Sequence, residues 1–217
     1  MDKMGNDTIT KKKNSGTGRI KTRDLTKMGL LVALLCVSAY ISIPIGTIPI
    51  TLQTMIIFLV ALLLTPAQAF LTVLVYLLLG ACGLPVFSGG RGGVGILFGA
   101  TGGFLFGFLL AAPLVSFLVR KAYQMITVQH LNGVPIRNGV PIRKHATLIL
   151  SILITAVIGM PVIYLLGTLY MKFFLGLTLK ATLVMAVLPF IPLDIIKCIV
   201  ASLLAIPIKS ALSRLDN

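Results

Sequence analysis

The chain of 217 residues contains no glutamate, and of its five aspartates only Asp194 falls inside a hydrophobic stretch. Charged residues make up 11% of it, against the roughly 25% usual for globular chains. Hydrophobic residues make up 57%, and the mean hydropathy is +1.04. So little charge on so apolar a chain excludes a soluble domain and calls for a lipid surrounding. Catalytic machinery is missing as well. No G-x-x-x-x-G-K-[S/T] run is present to cradle ATP, and no H-E-x-x-H to hold zinc. There is also no intramembrane carboxylate dyad and no nucleophile with a base at a plausible spacing, so an enzyme is not expected. Cys36, Cys82 and Cys198 lack metal or redox spacing and read as small packing residues; no metal site and no cofactor are expected.

What charge there is lies unevenly. Eight of the 19 Lys and Arg residues fall in residues 1–27 and five more between Arg120 and Lys144, giving a net charge of +14. Nucleic-acid binders set such charge beside aromatic and polar contacts on a surface. Here it occupies tails and loops between apolar runs, the distribution of cytoplasmic segments in a membrane protein, and no nucleic acid is implied.

Hydrophobic stretches cover residues 28–45, 51–65, 67–80, 93–119, 146–170 and 181–208. A span needs about 20 residues, so the second and third are short. Pro66 disfavours helix at Thr65 and suits the start of a new one, which divides that stretch into two short spans joined by a tight turn. The expectation is an all-α membrane protein of six transmembrane helices with both termini in the cytoplasm. An even count puts the basic tail, the 65–68 turn, the 120–145 segment and Lys209 with Arg214 on one side. The domains follow: a basic disordered tail at 1–27, one transmembrane domain at 28–208 with a basic cytoplasmic loop at 120–145, and a short tail at 209–217. Val37-Ser38-Ala39 mimics a signal-cleavage site, but the charged region ahead of it is too long. The doubled hexapeptide Asn-Gly-Val-Pro-Ile-Arg at 132–143 is too short for a solenoid and reads as a duplication in a tolerant loop.

This orientation gives the polar residues a place. Thr51 and Gln53 open the second span, Tyr76 stands near the end of the third, Thr101 early in the fourth and Tyr164 late in the fifth, with Arg91 in the outer loop. Asp194 and Lys197 come midway along the sixth. All fall in the outer half or at the midplane, whereas the inner halves carry small hydroxyls such as Ser116, Ser151, Thr155 and Ser202, which can bond a carbonyl one turn back. An outward-open polar pocket is expected. Asp194 and Lys197, three residues apart, share a helix face and can pair. An ionisable group at the bilayer centre costs at least about 2.5–3.5 kcal/mol and is functional by default, although a purely structural ion pair is the other reading. Pro189 and Pro192 must break the helix just ahead of them, leaving free N–H groups at a new helix start. In the loop, the glycines around Gly89 and Gly90 permit close backbone approach, and Arg91 offers a fork of donors suited to a carboxylate.

Two small-residue patterns concern packing. Gly95, Gly99, Gly103, Gly107 and Ala111 recur at every fourth position and permit close helix contact within the chain. Gly29 and Ala33, with Val37 next, form a shorter face that packs internally or against another protein.

Several motifs in one order resemble the BioY family: Ile48-Pro49-Ile50-Thr51-Leu52-Gln53-Thr54, Tyr76-Leu77-Leu78-Leu79-Gly80, Gly83-Leu84-Pro85-Val86-Phe87-Ser88-Gly89-Gly90, Thr101-Gly102-Gly103-Phe104, Gly107-Phe108, and Leu188-Pro189-Phe190-Ile191-Pro192-Leu193-Asp194-Ile195-Ile196-Lys197. Together they span most of residues 28–208. The resemblance implies a six-helix subunit of the prokaryotic plasma membrane that binds biotin with high affinity. Such a subunit is the S component of an energy-coupling factor (ECF) transporter, working with a T component and a pair of ATPases. It implies a ligand-binding role for Asp194 and Lys197, and biotin as ligand, with ATP used only by the partner subunits. Gln53, Tyr76, Arg91, Thr101, Tyr164, Gly89 and Gly90 complete the expected site by motif context or position. S components carry an A-x-x-x-A patch for docking to T, and Gly29 with Ala33 is the nearest match. The alternatives are a secondary transporter that couples a small carboxylate or vitamin to ions through Asp194 and Lys197, and a membrane scaffold packed through the glycine stripe.

Overall fold

The computed structural model describes residues 22–43, 48–131 and 141–214. Backbone polar groups in lipid must be satisfied within their own segment, and the apolar stretches accordingly form helices. In order they are α1 (Thr22–Ser38), α2 (Gln53–Leu63), α3 (Pro66–Ala81), the single turn α4 (Val94–Leu97), α5 (Gly102–Leu131), α6 (Pro141–Ile154), α7 (Met160–Leu175), α8 (Leu179–Ala186) and α9 (Ile191–Arg214). A π turn at Thr155–Gly159 joins α6 directly to α7. Strands β1 (Ser42–Ile43) and β2 (Ile50–Thr51) pair antiparallel, Ser42 opposite Thr51, and deliver the chain from α1 to α2. Among the described residues, three segments are long and apolar enough to cross a membrane: Gly102–Met125, Thr147–Leu175 and Ile191–Leu212. Helices α2 and α3 are apolar but have 11 and 16 residues.

The break at Pro66 is a capping box. Thr65 is extended, its Oγ1 accepts from the Gln68 N–H, and the Gln68 side chain accepts from the Thr65 N–H. Pro66, with no N–H to lose, takes the first helical position. Helix α2 is the centre of the bundle: Ile57, Phe58, Val60 and Ala61 are all but inaccessible, as its all-round apolarity requires.

Three expectations are corrected. Helix α1 begins at Thr22, so the last six residues of the expected 1–27 tail are helical; residues 1–21 lie outside the described part. The expected 120–145 loop is largely helix, since α5 continues to Leu131 and α6 starts at Pro141; most of the repeated hexapeptide, 132–140, lies outside the described residues. Helix α9 continues to Arg214, into the expected 209–217 tail; the stretch 181–208 is two helices, α8 and α9, divided at the break that Pro189 and Pro192 led one to expect.

The glycine stripe splits similarly. A Cβ on Gly107 would stand 3.0 Å from Ile163 Cα, and one on Gly103 would run into Tyr170 and lie 2.6 Å from the Leu166 carbonyl, so these two glycines and buried Ala111 let α5 lie directly on α7. Gly95 and Gly99 precede α5, and nothing lies within 4 Å of a Cβ on Gly95. On α1, Met28, Leu31, Val32 and Leu35 are buried while Gly29 and Ala33 are exposed, so the small-residue face packs on no described part of the chain.

The two ends of the bundle differ. The Arg23 guanidinium donates to the Leu212 carbonyl at 3.1 Å, which sets the start of α1 beside the end of α9. Ser116 Oγ and Arg120 Nε both donate to the Leu64 carbonyl, at 2.6 and 3.3 Å, which brings the α2–α3 turn to the same end. Gly102 lies about 27 Å away from Arg120 along α5, by the helical rise of 1.5 Å per residue. Around that far end stand the helix starts of α2, α5 and α9.

Gly107→Val is expected to force α5 off α7 and cost roughly 1–3 kcal/mol, since the clash is with backbone. Thermal unfolding in detergent checks this: the midpoint should fall for Gly107→Val and hold for Gly95→Ala.

Candidate ligand-binding site

Helix α8 ends at Ala186, and the chain turns through Val187–Phe190 before α9 begins at Ile191. Pro192 sits in the first turn of α9, where no N–H is required, and Asp194 in the same turn complements the positive end of the helix. The break expected ahead of the pair is present, and Asp194 and Lys197 occupy the first two turns of the helix that follows it. Lys197 Nζ lies 2.7 Å from Asp194 Oδ1, with the two residues 8% and 3% exposed. Thr54 completes a triangle, its hydroxyl donating to Asp194 Oδ1 and accepting from Lys197 Nζ, both at 3.2 Å. Tyr164 donates to the other carboxylate oxygen at 2.7 Å. The buried charges are thus paired and hydrogen-bonded across α2, α7 and α9, as burial demands. An ammonium has three donors and a carboxylate about four acceptor positions, so Lys197 keeps one N–H and Asp194 one lone pair for a ligand.

The second polar group stands on the loop between α3 and α4. Gly89 and Gly90 take left-handed backbone (φ +73° and +69°), which returns the chain tightly enough for Phe87 and Arg91 to bridge through two backbone hydrogen bonds. Arg91 Nε donates to the Ser88 carbonyl at 3.1 Å, and no carboxylate among the described residues pairs with the guanidinium. Ser88 Oγ is buried without a hydrogen-bond partner. Beneath the loop, Gln53 Nε2 donates to the Tyr76 hydroxyl, which donates in turn to the Val86 carbonyl at 3.1 Å. The Tyr76 and Phe87 rings meet edge to face, 5.7 Å between centroids.

Both groups border one open-mouthed cavity. Its apolar wall is Phe87, Ile96, Phe104, Leu105, Phe108, Ile163 and Phe190, with Ile48 and Pro49 from the segment leading to α2. Of the residues expected from sequence, Gln53, Arg91, Thr101, Tyr164, Asp194 and Lys197 line this cavity, as does Thr51. Tyr76 does not; it is fully buried behind Gln53 and supports the loop. Gly89 and Gly90 do not line it either. The Gly89 N–H is bonded to the Ala39 carbonyl, the Gly90 and Arg91 N–H groups to the Phe87 carbonyl, and the Tyr40 ring covers Gly90. The loop therefore faces the cavity with the Ser88 hydroxyl and Arg91, and those backbone amides are spent. Thr54 and Ser88 were missed as individuals although both sit inside the recognised motifs. Their only sequence signal is adjacency to Gln53 and Gly89, since lone hydroxyls are common in membrane helices and loops.

A helical bundle with segments apolar enough to cross a membrane, and at one end an open cavity bordered by polar groups, has the form of a solute-binding membrane protein. A family model, the BioY family, matches residues 10–214. The chain belongs to the BioY family. The biotin transporter BioY of Thermotoga maritima is 37% identical over 187 residues, covering 86% of this chain and 96% of that one. Biotin transporter BioY2 of Lactococcus lactis subsp. cremoris is 34% identical over 198 residues, covering 91% and 96%. Among solved structures, the S-component for biotin from an ECF-type ABC transporter, a crystal structure at 2.1 Å, superposes with a TM-score of 0.71 at 27% identity, over 87% of this chain and 92% of that one.

Tyr76→Phe removes the hydroxyl that joins Gln53 to the Val86 carbonyl and leaves both groups buried without that partner. A loss of roughly 1–3 kcal/mol in stability is expected, read as a lowered melting midpoint.

Proposed function

We propose that this chain is the biotin-binding S component of an ECF transporter in a prokaryotic plasma membrane, a capture subunit with no chemistry of its own. A T component and a pair of ATPases dock on it and supply the energy, and it requires no cofactor. The observation that carries the reading is the Asp194–Lys197–Thr54–Tyr164 cluster on the wall of a cavity whose other polar members include Ser88 and Arg91, with Thr51, Gln53 and Thr101. Biotin has a ureido ring, an apolar body and a carboxylate. The ureido group offers both an N–H donor and a carbonyl acceptor, which match the free lone pair of Asp194 and the free N–H of Lys197. The negative Asp194 repels a carboxylate, so that end goes to Arg91 and the unpartnered Ser88 hydroxyl. The aromatic wall takes the ring system and chain between them.

Six spans with both ends inside complete the proposal. The positive-inside rule supports it, as does the gathering of the α1 start, the α2–α3 turn, Arg120 and the α9 end at one end of the bundle. The exposed Gly29 and Ala33 on α1 are a face on which a T-component helix fits closely.

Asp194→Asn and Lys197→Met should each weaken biotin binding to the purified subunit by about tenfold or more, from loss of one charge-assisted hydrogen bond. Unchanged affinity in both sinks the site. Arg91→Gln should weaken biotin but leave biotinamide, which lacks the negative end, nearly unaffected. For the topology, a membrane-impermeant maleimide on whole cells should label exposed Cys82 in a Cys36→Ala background, and a cysteine at Asn217 only after permeabilisation.

A further inference from the structure

The end of the bundle away from the cavity holds cations that the capture of a ligand does not use. Arg120 spends its Nε on the Leu64 carbonyl, which leaves its terminal nitrogens. One turn on, the Tyr123 ring carries Lys209 Nζ 4.9 Å above its centroid, and Tyr123 is itself held by its hydroxyl to the Thr147 carbonyl and to Ser151. Residues three apart on a helix share a face, so Arg120 stands on the face of α5 that carries Tyr123 and, over its ring, Lys209. Of the described carboxylates, Asp24 stands at this end but pairs with Lys27 at 3.8 Å, and Asp194 pairs with Lys197 at the other end. Two like charges on one face, with no carboxylate among the described residues paired to either, call for an anion.

The surroundings specify which anion. Arg120 and Lys209 stand near the ends of the apolar segments Gly102–Met125 and Ile191–Leu212, which is headgroup depth. An exposed apolar stripe on α5, Leu110, Leu114 and Phe117, leads to that end and finishes at Lys121, whose Nζ is 6.0 Å from the Phe117 ring. A chain-bearing anion fits this surface, with acyl groups on the stripe and phosphate at the cations. Guanidinium suits a phosphate through paired hydrogen bonds, and basic pockets between membrane helices bind acidic headgroups. We propose that Arg120 and Lys209 form a binding site for the phosphate of an anionic phospholipid, which offsets part of the positive charge at this end of the bundle.

The test uses the full chain purified in detergent, titrated with mixed micelles of phosphatidylglycerol or phosphatidylcholine and read by thermal unfolding. Phosphatidylglycerol should raise the melting midpoint at a concentration about tenfold lower than phosphatidylcholine, and added salt should erase the difference. Lys209→Gln should erase most of it and Lys209→Arg should keep it; the shift produced by biotin should survive in both. Equal stabilisation by the two lipids overturns the site and leaves these cations to a protein partner. So does a preference that persists in Lys209→Gln or at high salt. If inorganic phosphate alone matches phosphatidylglycerol, the site takes free anions and the lipid assignment fails. The salt series on the unmodified chain decides the matter even if a variant does not fold.

Discussion

A carboxylate and an ammonium group 2.7 Å apart inside an apolar bundle set the terms for much of what surrounds them. Neither charge is tolerable alone at that depth, and their pairing is sufficient only with further hydrogen bonds. Thr54 and Tyr164 supply those bonds, and supplying them fixes how α2 and α7 meet the start of α9. The break at Pro189 and Pro192 follows from the same need, because it puts Asp194 in a first turn whose dipole favours a negative group. A cavity lined by such a pair presents a donor and an acceptor already held in place, so little ordering remains when a ligand arrives.

The opposite wall depends on shape more than charge. The loop between α3 and α4 is tied by Tyr76 to the Val86 carbonyl, by the Gly93 N–H to the Gly80 carbonyl, and by the Gly89 N–H to the Ala39 carbonyl at the end of α1. Gly80 has no side chain because the Phe87 ring occupies the space one would need. A polar loop at the mouth of a membrane protein is in this way held by two helices, α3 and α1. The helix that offers an exposed small-residue face along its length also touches the ligand loop at its end.

Much of this was legible in the residues. The stretches of apolar residues, the division at Pro66 and the break ahead of Asp194 follow from local rules about proline and backbone hydrogen bonding, which act within a few residues and leave a signature there. The pair at Asp194 and Lys197 was visible because a charge in an apolar run is expensive wherever it falls. Boundaries read less well, since helices at 22–27, 120–131 and 141–145 are polar enough to resemble loop; their basic residues say which side of a membrane they favour and nothing about backbone conformation.

The sequence by itself determined that the chain is a helical membrane protein, where its helices break, and that Asp194 and Lys197 are the charges it must accommodate. Only the tertiary structure decided that Thr54 bridges the pair, that Ser88 is left without a partner, that Gln53 and Tyr76 form a strut, that the Gly89 and Gly90 amides are already committed, and that Gly29 and Ala33 face outward. The reason is physical. Burial cost and helix breaking are properties of a residue and its near neighbours, whereas the partner of a hydroxyl or an amide is settled by which remote helices pack beside it.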